Sequence, residues 1–214
     1  MQIFWHGFSC VRIESSVGDK EASLVTDPYD IANTGVRFPR TLEPNVVVLS
    51  HQDRERFPLD VFKNKPFLIA DPGEYEAQGM FVFGLPLKGP EQKYPFELAY
   101  RFVIEGVSIG FLGSTSRVPP AEELAKLDNI DILLLPVGGG DRLTAAQAVE
   151  VVNEIEPRIV IPLYHHIEGS KMALDSVDLF CKELGGKRQD ANRLKISRKD
   201  LPADDIVISV LERA

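Results

Sequence analysis

Six apolar runs in this chain end abruptly in loops of polar residues or glycine, and the side chains able to do chemistry collect in those loops. They are Thr26-Asp27-Pro28, Ser50-His51-Gln52-Asp53, Asp71-Pro72-Gly73-Glu74, Gly113-Ser114-Thr115, Gly138-Gly139-Gly140 and Tyr164-His165-His166. His, Asp and Glu are the ligands that zinc, iron and manganese take, and the ends of strands in an α/β sheet are where sites form. Each loop also has a plain structural reading. Asp27 before Pro28 builds a turn, His165-His166 caps a strand, and Glu74 with Glu76 edges a sheet. As a set they predict one shared cleft.

The elements that must position these loops are legible as short runs rich in β-branched residues, bounded by Gly, Pro, Asn or Asp. The clearest strands are Val46 to Leu49, Phe67 to Ala70, Met80 to Phe83, Val107 to Leu112, Ile130 to Leu135, Arg158 to Leu163 and Ile206 to Leu211. Ile3 to Trp5, Val11 to Ile13 and Leu24 to Thr26 look like an opening antiparallel meander. Helices are expected at Pro119 to Leu127, Thr144 to Ile155 and Ser170 to Leu184. Thr144 is suited to cap the second and Pro157 to stop it; Gly185-Gly186 ends the third. A first half of strands and a second half that alternates strand with helix predict one α/β domain over residues 1–214, a four-layer αββα sandwich.

Composition narrows the partners. With 24 basic and 32 acidic side chains the net charge is -8, so the mean field repels nucleic acid and anionic membranes. The one basic cluster, Lys187, Arg188, Arg193, Lys195, Arg198 and Lys199, reads as a solvated face, and nucleic acid is not the expected partner. Cys10 and Cys181 have no CxxC spacing and read as buried free thiols. The opening residues carry neither a basic region nor a long apolar stretch, so no signal peptide or membrane span is expected, and the default location is cytoplasmic. A symmetric homodimer is compatible with a domain of this size on base rate alone.

Several motifs, in order and spacing, resemble the metallo-β-lactamase superfamily, and within it a small branch of metal-dependent hydrolases. They are Trp5-His6-Gly7-Phe8-Ser9-Cys10, Thr26-Asp27-Pro28, the loop after Val46 to Ser50, Pro72-Gly73-Glu74-Tyr75-Glu76, Leu112-Gly113, Leu134-Leu135-Pro136-Val137-Gly138-Gly139 and Glu156-Pro157-Arg158-Ile159-Val160-Ile161-Pro162. The resemblance spans nearly the whole chain. It implies the αββα fold and a dinuclear metal site served by four or five histidines and one or two aspartates.

The ligand positions implied by that resemblance are largely altered. Where the family reads His-x-His-x-Asp-His, this chain reads His51-Gln52-Asp53-Arg54-Glu55-Arg56. Arg56 has no lone pair to donate and stays charged, so it repels a metal. Phe8 stands at a histidine position and Ser114 at the bridging aspartate. The late histidine is displaced by one residue, leaving Tyr164 in its register and His165 next to it, and such a shift turns a strand side chain to the other face. His6 is off its motif position, and no histidine lies between positions 52 and 164.

Three readings follow. In the first, a salt-bridge cluster replaces the metal: Arg56, with Arg54, neutralises Asp53 and Glu55, and the protein binds an unknown small molecule or protein partner without catalysis and without a cofactor. In the second, one Zn or Mn ion sits on His51, Asp53, His165 or His166, with Asp53 or Glu55 as base and Tyr164 stabilising an oxyanion. In the third, an anionic metabolite binds without metal through Arg54, Arg56, Ser114, Thr115 and the triple-glycine loop, with Asp27 in the same cleft.

Overall fold

The computed structural model describes residues 1–17, 20–88, 96–113 and 115–214. Among them, a six-stranded sheet runs in the order β13-β1-β2-β3-β4-β5 and an eight-stranded sheet in the order β12-β14-β11-β10-β9-β8-β7-β6. The first is made of β1 (Gln2–Gly7), β2 (Cys10–Val17), β3 (Lys20–Thr26), β4 (Val46–Val48), β5 (Phe67–Ile69) and β13 (Leu194–Lys195). The second holds β6 (Gly73–Ala77), β7 (Met80–Lys88), β8 (Phe96–Ile104), β9 (Val107–Phe111), β10 (Ile132–Pro136), β11 (Ile159–Leu163), β12 (Lys187–Ala191) and β14 (Val207–Leu211). Strands β1, β2 and β3 form the expected antiparallel meander, and β9, β10, β11, β14 and β12 run parallel.

The two-residue period of a strand decides where each core residue goes. In β10, every residue of Ile-Leu-Leu-Leu-Pro is buried, as a parallel strand covered on both faces requires. Ile132 and Leu134 join Phe102, Ile109, Ile161, Ile13 and Leu24 in one core cluster. Leu133 and Leu135 join a second with Val160, Ile208, Ala148, Val151, Val152 and Phe180. One core therefore lies between the sheets, and the other lies beneath α3 (Ala145–Ile155) and α4 (Val177–Leu184). Two shorter helices are α1 (Ile31–Thr34) and α2 (Ala121–Leu124). The expected α/β architecture of two packed sheets is thus present, with few and short helices among the described residues.

Helix α3 begins at the predicted cap: Thr144 Oγ1 accepts from the Gln147 amide and the Gln147 side chain accepts from the Thr144 amide, a reciprocal capping box. The third expected helix starts later, at Ser176, because the residues before it are tied elsewhere. The Lys171 amide donates to the Thr34 carbonyl (2.9 Å) and the Asp175 amide to the Gly138 carbonyl (2.9 Å), and amides so engaged cannot serve a helix. The helix expected over residues 119–127 is reduced to α2. Four strands were not expected: β8, β12, β13 and the edge strand β6, where Glu74 and Glu76 had read as a strand-edge turn. The basic run at 187–191 is the opposite edge, with Arg188 paired to Asp178 and Asp190. Charged edge strands resist pairing with another chain.

Phe180 is fully buried between α4 and the eight-stranded sheet. Phe180→Ala is expected to lower unfolding stability by roughly 3–5 kcal/mol in urea titration, leaving the inter-sheet core intact.

Candidate functional site

A cleft of about 380 Å³ opens where the strand ends of both sheets meet, within the range of small-molecule sites. Its walls come from the β1–β2 turn (Phe8, Ser9), the ends of β3 and β4 (Asp27, His51), the loop after β9 (Gly113), the loop after β10 (Asp141, Arg142) and the end of β11 (Tyr164).

Three residues on these walls have left-handed backbones: Phe8 at φ 51°, Asp27 at φ 35° and Tyr164 at φ 51°. Non-glycine residues adopt this region at a cost and keep it only when their surroundings fix it. Here hydrogen bonds do so. The Phe8 carbonyl accepts from Trp5 Nε1 (2.9 Å) and from the Tyr164 amide (3.0 Å), and the Tyr164 carbonyl accepts from the Gly138 amide (3.1 Å). The Asp27 amide donates to the Val48 carbonyl (3.0 Å). A Cβ on Gly138 would collide with the Tyr164 carbonyl, and one on Gly113 would meet the Phe111 ring and lie 2.6 Å from Asp27 Oδ2, so both loops need glycine.

Asp27 is buried, with Oδ1 accepting from the Ser50 amide (2.8 Å) and Oδ2 from the Ser50 hydroxyl. Burial raises its pKa to about 6, against the pull of the Ser50 bonds and the Arg142 charge. His51 is also buried, and its Nδ1 accepts from the Asp53 amide at 3.0 Å, which puts a neutral ring's proton on Nε2. Tyr164 donates its hydroxyl to Asp141 Oδ1 at 3.0 Å, and burial pushes its pKa up. Arg142 closes the set: Nη1 pairs with Asp141 Oδ2 at 2.8 Å, and the guanidinium lies 5.3 Å from the Tyr164 ring centre. Its side chain is only 14% exposed.

The predicted residues divide. Asp27, His51, Arg56 and Tyr164 line the cleft. The anticipated Arg56 cluster does not fill it: Arg56, 45% exposed, meets Asp53 only at 3.9 Å, and Arg54, 49% exposed, pairs with Asp71 instead. Glu55 is exposed on the same 3-10 turn, Arg54–Arg56. A turn, not a strand, presents this segment, so its charges reach solvent. Thr115 is buried off the cleft wall, and Ser114 lies outside the described residues.

The histidines at 165 and 166 point away from the cleft. His165 packs against Trp5 (ring centres 4.5 Å apart) with Nδ1 3.2 Å from the His166 carbonyl, and His166 is exposed. His6 is buried beside the Ala214 carbonyl. Burial lowers the pKa of both His6 and His165 to about 4, so both are neutral at physiological pH.

Sequence reading missed Asp141, Arg142 and Glu97. Glu97, in β8, is buried against Ser116, which donates from its hydroxyl (2.8 Å) and amide (3.2 Å); burial raises its pKa, against the pull of Ser116, Arg142 and Arg117. The only available signal for Arg142 was its place just after the triple glycine.

A dinuclear metal centre does not fit this donor set. Among the described residues one imidazole, His51, faces the cleft; Phe8 and Tyr164 stand at two of the ligand positions implied by the resemblance, and each Asp27 oxygen already accepts a hydrogen bond from Ser50. Among the described residues no group of three or more His, Cys, Asp or Glu is placed to hold a metal ion. Nor is any described helix long and apolar enough to cross a membrane.

Comparison with known proteins agrees with the fold. The model of the beta-lactamase superfamily domain matches residues 2–164. A UPF0173 protein of Pyrococcus abyssi is 25% identical over 211 residues, covering 88% of this chain and 92% of its own. A UPF0173 metal-dependent hydrolase of Thermoplasma acidophilum is 26% identical over 199 residues, covering 78% and 84%. The crystal structure of a candidate Zn-dependent hydrolase of the metallo-beta-lactamase superfamily from Thermotoga maritima superposes with a TM-score of 0.78 at 24% identity, over 99% of both chains.

The raised pKa of Asp27 has a sign that can be tested. The folded state holds this proton more tightly than the unfolded chain, whose ordinary value is 3.8. The stabilisation is complete below 3.8 and lost as pH rises through about 6. Asp27→Asn stays neutral and keeps a partner for Ser50. It is expected to be more stable than the parent at pH 7.5, by up to about 3 kcal/mol, with the gap narrowing as pH falls through about 6 and closing only below 3.8 in urea titrations.

Proposed function

Starting from a chain that belongs to the beta-lactamase superfamily domain family, we propose that its cleft binds a ligand without a resident metal and does not carry out metal-dependent hydrolysis. The observation that carries this is the Tyr164, Asp141 and Arg142 group. A phenol, tied to a carboxylate that is itself tied to a guanidinium, occupies the wall where the family resemblance implies an imidazole. Tyr164, with its pKa raised by burial, holds its proton and is a poor ligand at neutral pH. Arg142 and Arg56 on the same cleft oppose a divalent cation electrostatically. Phe8, also on the wall, has no donor atom to give.

Six curated relatives carry the description metal-dependent hydrolase, and His51, on the same cleft wall as Asp27, is the residue on which a single-ion site would have to be built. Metal content separates the two readings. Protein purified without chelator, and again after incubation with Zn or Mn, is expected to hold no stoichiometric metal by plasma mass spectrometry, and His51→Ala is expected to leave that result unchanged. One ion per chain that disappears in His51→Ala would establish the mononuclear hydrolase instead.

A further inference from the structure

The acids and the bases of this cleft are not equally committed. Each carboxylate on its wall already has a partner inside the protein. Asp27 has both oxygens on Ser50, Asp141 has one on Tyr164 and the other on Arg142, and Asp30 caps α1 by accepting from the Ala32 amide at 2.7 Å. The cations are different. Arg142 reaches Asp141 through Nη1 alone, which donates to the backbone carbonyl at 3.0 Å and ion-pairs with Oδ2 at 2.8 Å, and the buried Nε has no hydrogen-bond partner among the described residues. Arg56, at 3.9 Å from Asp53, is beyond hydrogen-bond range of it. A buried N–H without an acceptor costs of order 1–3 kcal/mol, so Arg142 is a cation whose donors are only partly matched within the protein.

The rest of the lining is apolar: Phe8, Tyr29, Phe57 and Met172 border the same space. We infer that the cleft takes a small organic carboxylate, its carboxyl group seated on Arg142 with Arg56 at the mouth and its apolar body against those aromatic rings. Guanidinium and carboxylate match as a planar, charge-assisted pair. An apolar body recovers the burial that a bare inorganic anion would leave unused. The assignment names the ligand class for the metal-free site proposed above and rests on that reading.

The test uses the whole chain, freed of adventitious metal by chelator and dialysis, with benzoate, benzamide, benzylamine and inorganic phosphate as probes in thermal-shift and calorimetric titration. Benzoate is expected to raise the melting temperature with increasing concentration, and the neutral amide, the amine and phosphate are not. Arg142→Met is expected to weaken benzoate binding by about tenfold to a hundredfold. Arg56→Gln, on an exposed turn where folding is not at stake, should give a smaller, roughly threefold loss. Equal binding of benzamide, preferential binding of phosphate, or benzoate binding unchanged in both variants would overturn the ligand class while leaving the metal-free reading standing. Benzoate binding that appears only after stoichiometric Zn or Mn loading would overturn the metal-free reading instead.

Discussion

The peptide hydrogen bond from the Tyr164 amide to the Phe8 carbonyl sets the terms for everything around the cleft. It joins the end of β11, in one sheet, to the β1–β2 turn of the other. It also forces a left-handed backbone on the residue at each end. Trp5 Nε1 holds the same carbonyl from the opposite side, and the Gly138 amide holds the Tyr164 carbonyl. With the backbone fixed at these points, the direction of the next two side chains is no longer free. Tyr164 faces the cleft and His165 stacks on Trp5. An imidazole one residue late in the chain is therefore not a slightly displaced ligand; it belongs to the core.

That placement has electrostatic consequences. His165 and His6 are buried as neutral rings, and burial lowers the affinity of each for a proton. They lose stability as pH falls below their ordinary value, while Asp27, with its affinity raised, gains it over part of the same range. The buried groups around the cleft thus oppose one another in acid. Within the cleft, Arg142 is the charge that reaches furthest, acting on Asp27, Glu97 and Tyr164 together. It does so from a loop whose path is set by Gly138, where any side chain would strike the Tyr164 carbonyl.

Much of the fold was legible because two periodicities are strong here. The wholly apolar, fully buried run of β10 and the capped, stop-signalled α3 follow directly from their residues. Strand β8 was harder to read because Glu97 and Arg101 break its apolar run, and Glu97 is buried only because Ser116 satisfies it. The late start of α4 depends on bonds from Lys171 and Asp175 to distant loops, which no local pattern encodes. At the site, Asp27, His51 and Tyr164 could be gathered from strand-end loops. Arg56 drew attention because it stands in a ligand motif, whereas Arg142 has no motif and reaches the cleft through a glycine loop. Sequence spacing finds residues at motif positions more readily than those that reach the cleft from outside any motif.

A metal ion and an arginine solve the problem of a carboxylate-lined cavity in different ways. A divalent ion takes lone pairs from several directions and needs its ligands deprotonated. A guanidinium offers only hydrogens, in one plane, and remains charged at any physiological pH. Here Arg142 pairs with Asp141, and Ser50 donates to both oxygens of Asp27, so these carboxylates are held by hydrogen atoms within the protein. Restoring histidines at Phe8 or Tyr164 alone would add ligands beside a fixed cation. The donor set of this cleft thus differs from the one the resemblance implies in two ways: imidazoles are replaced by Phe8 and Tyr164, and a guanidinium held by Asp141 stands on the same wall.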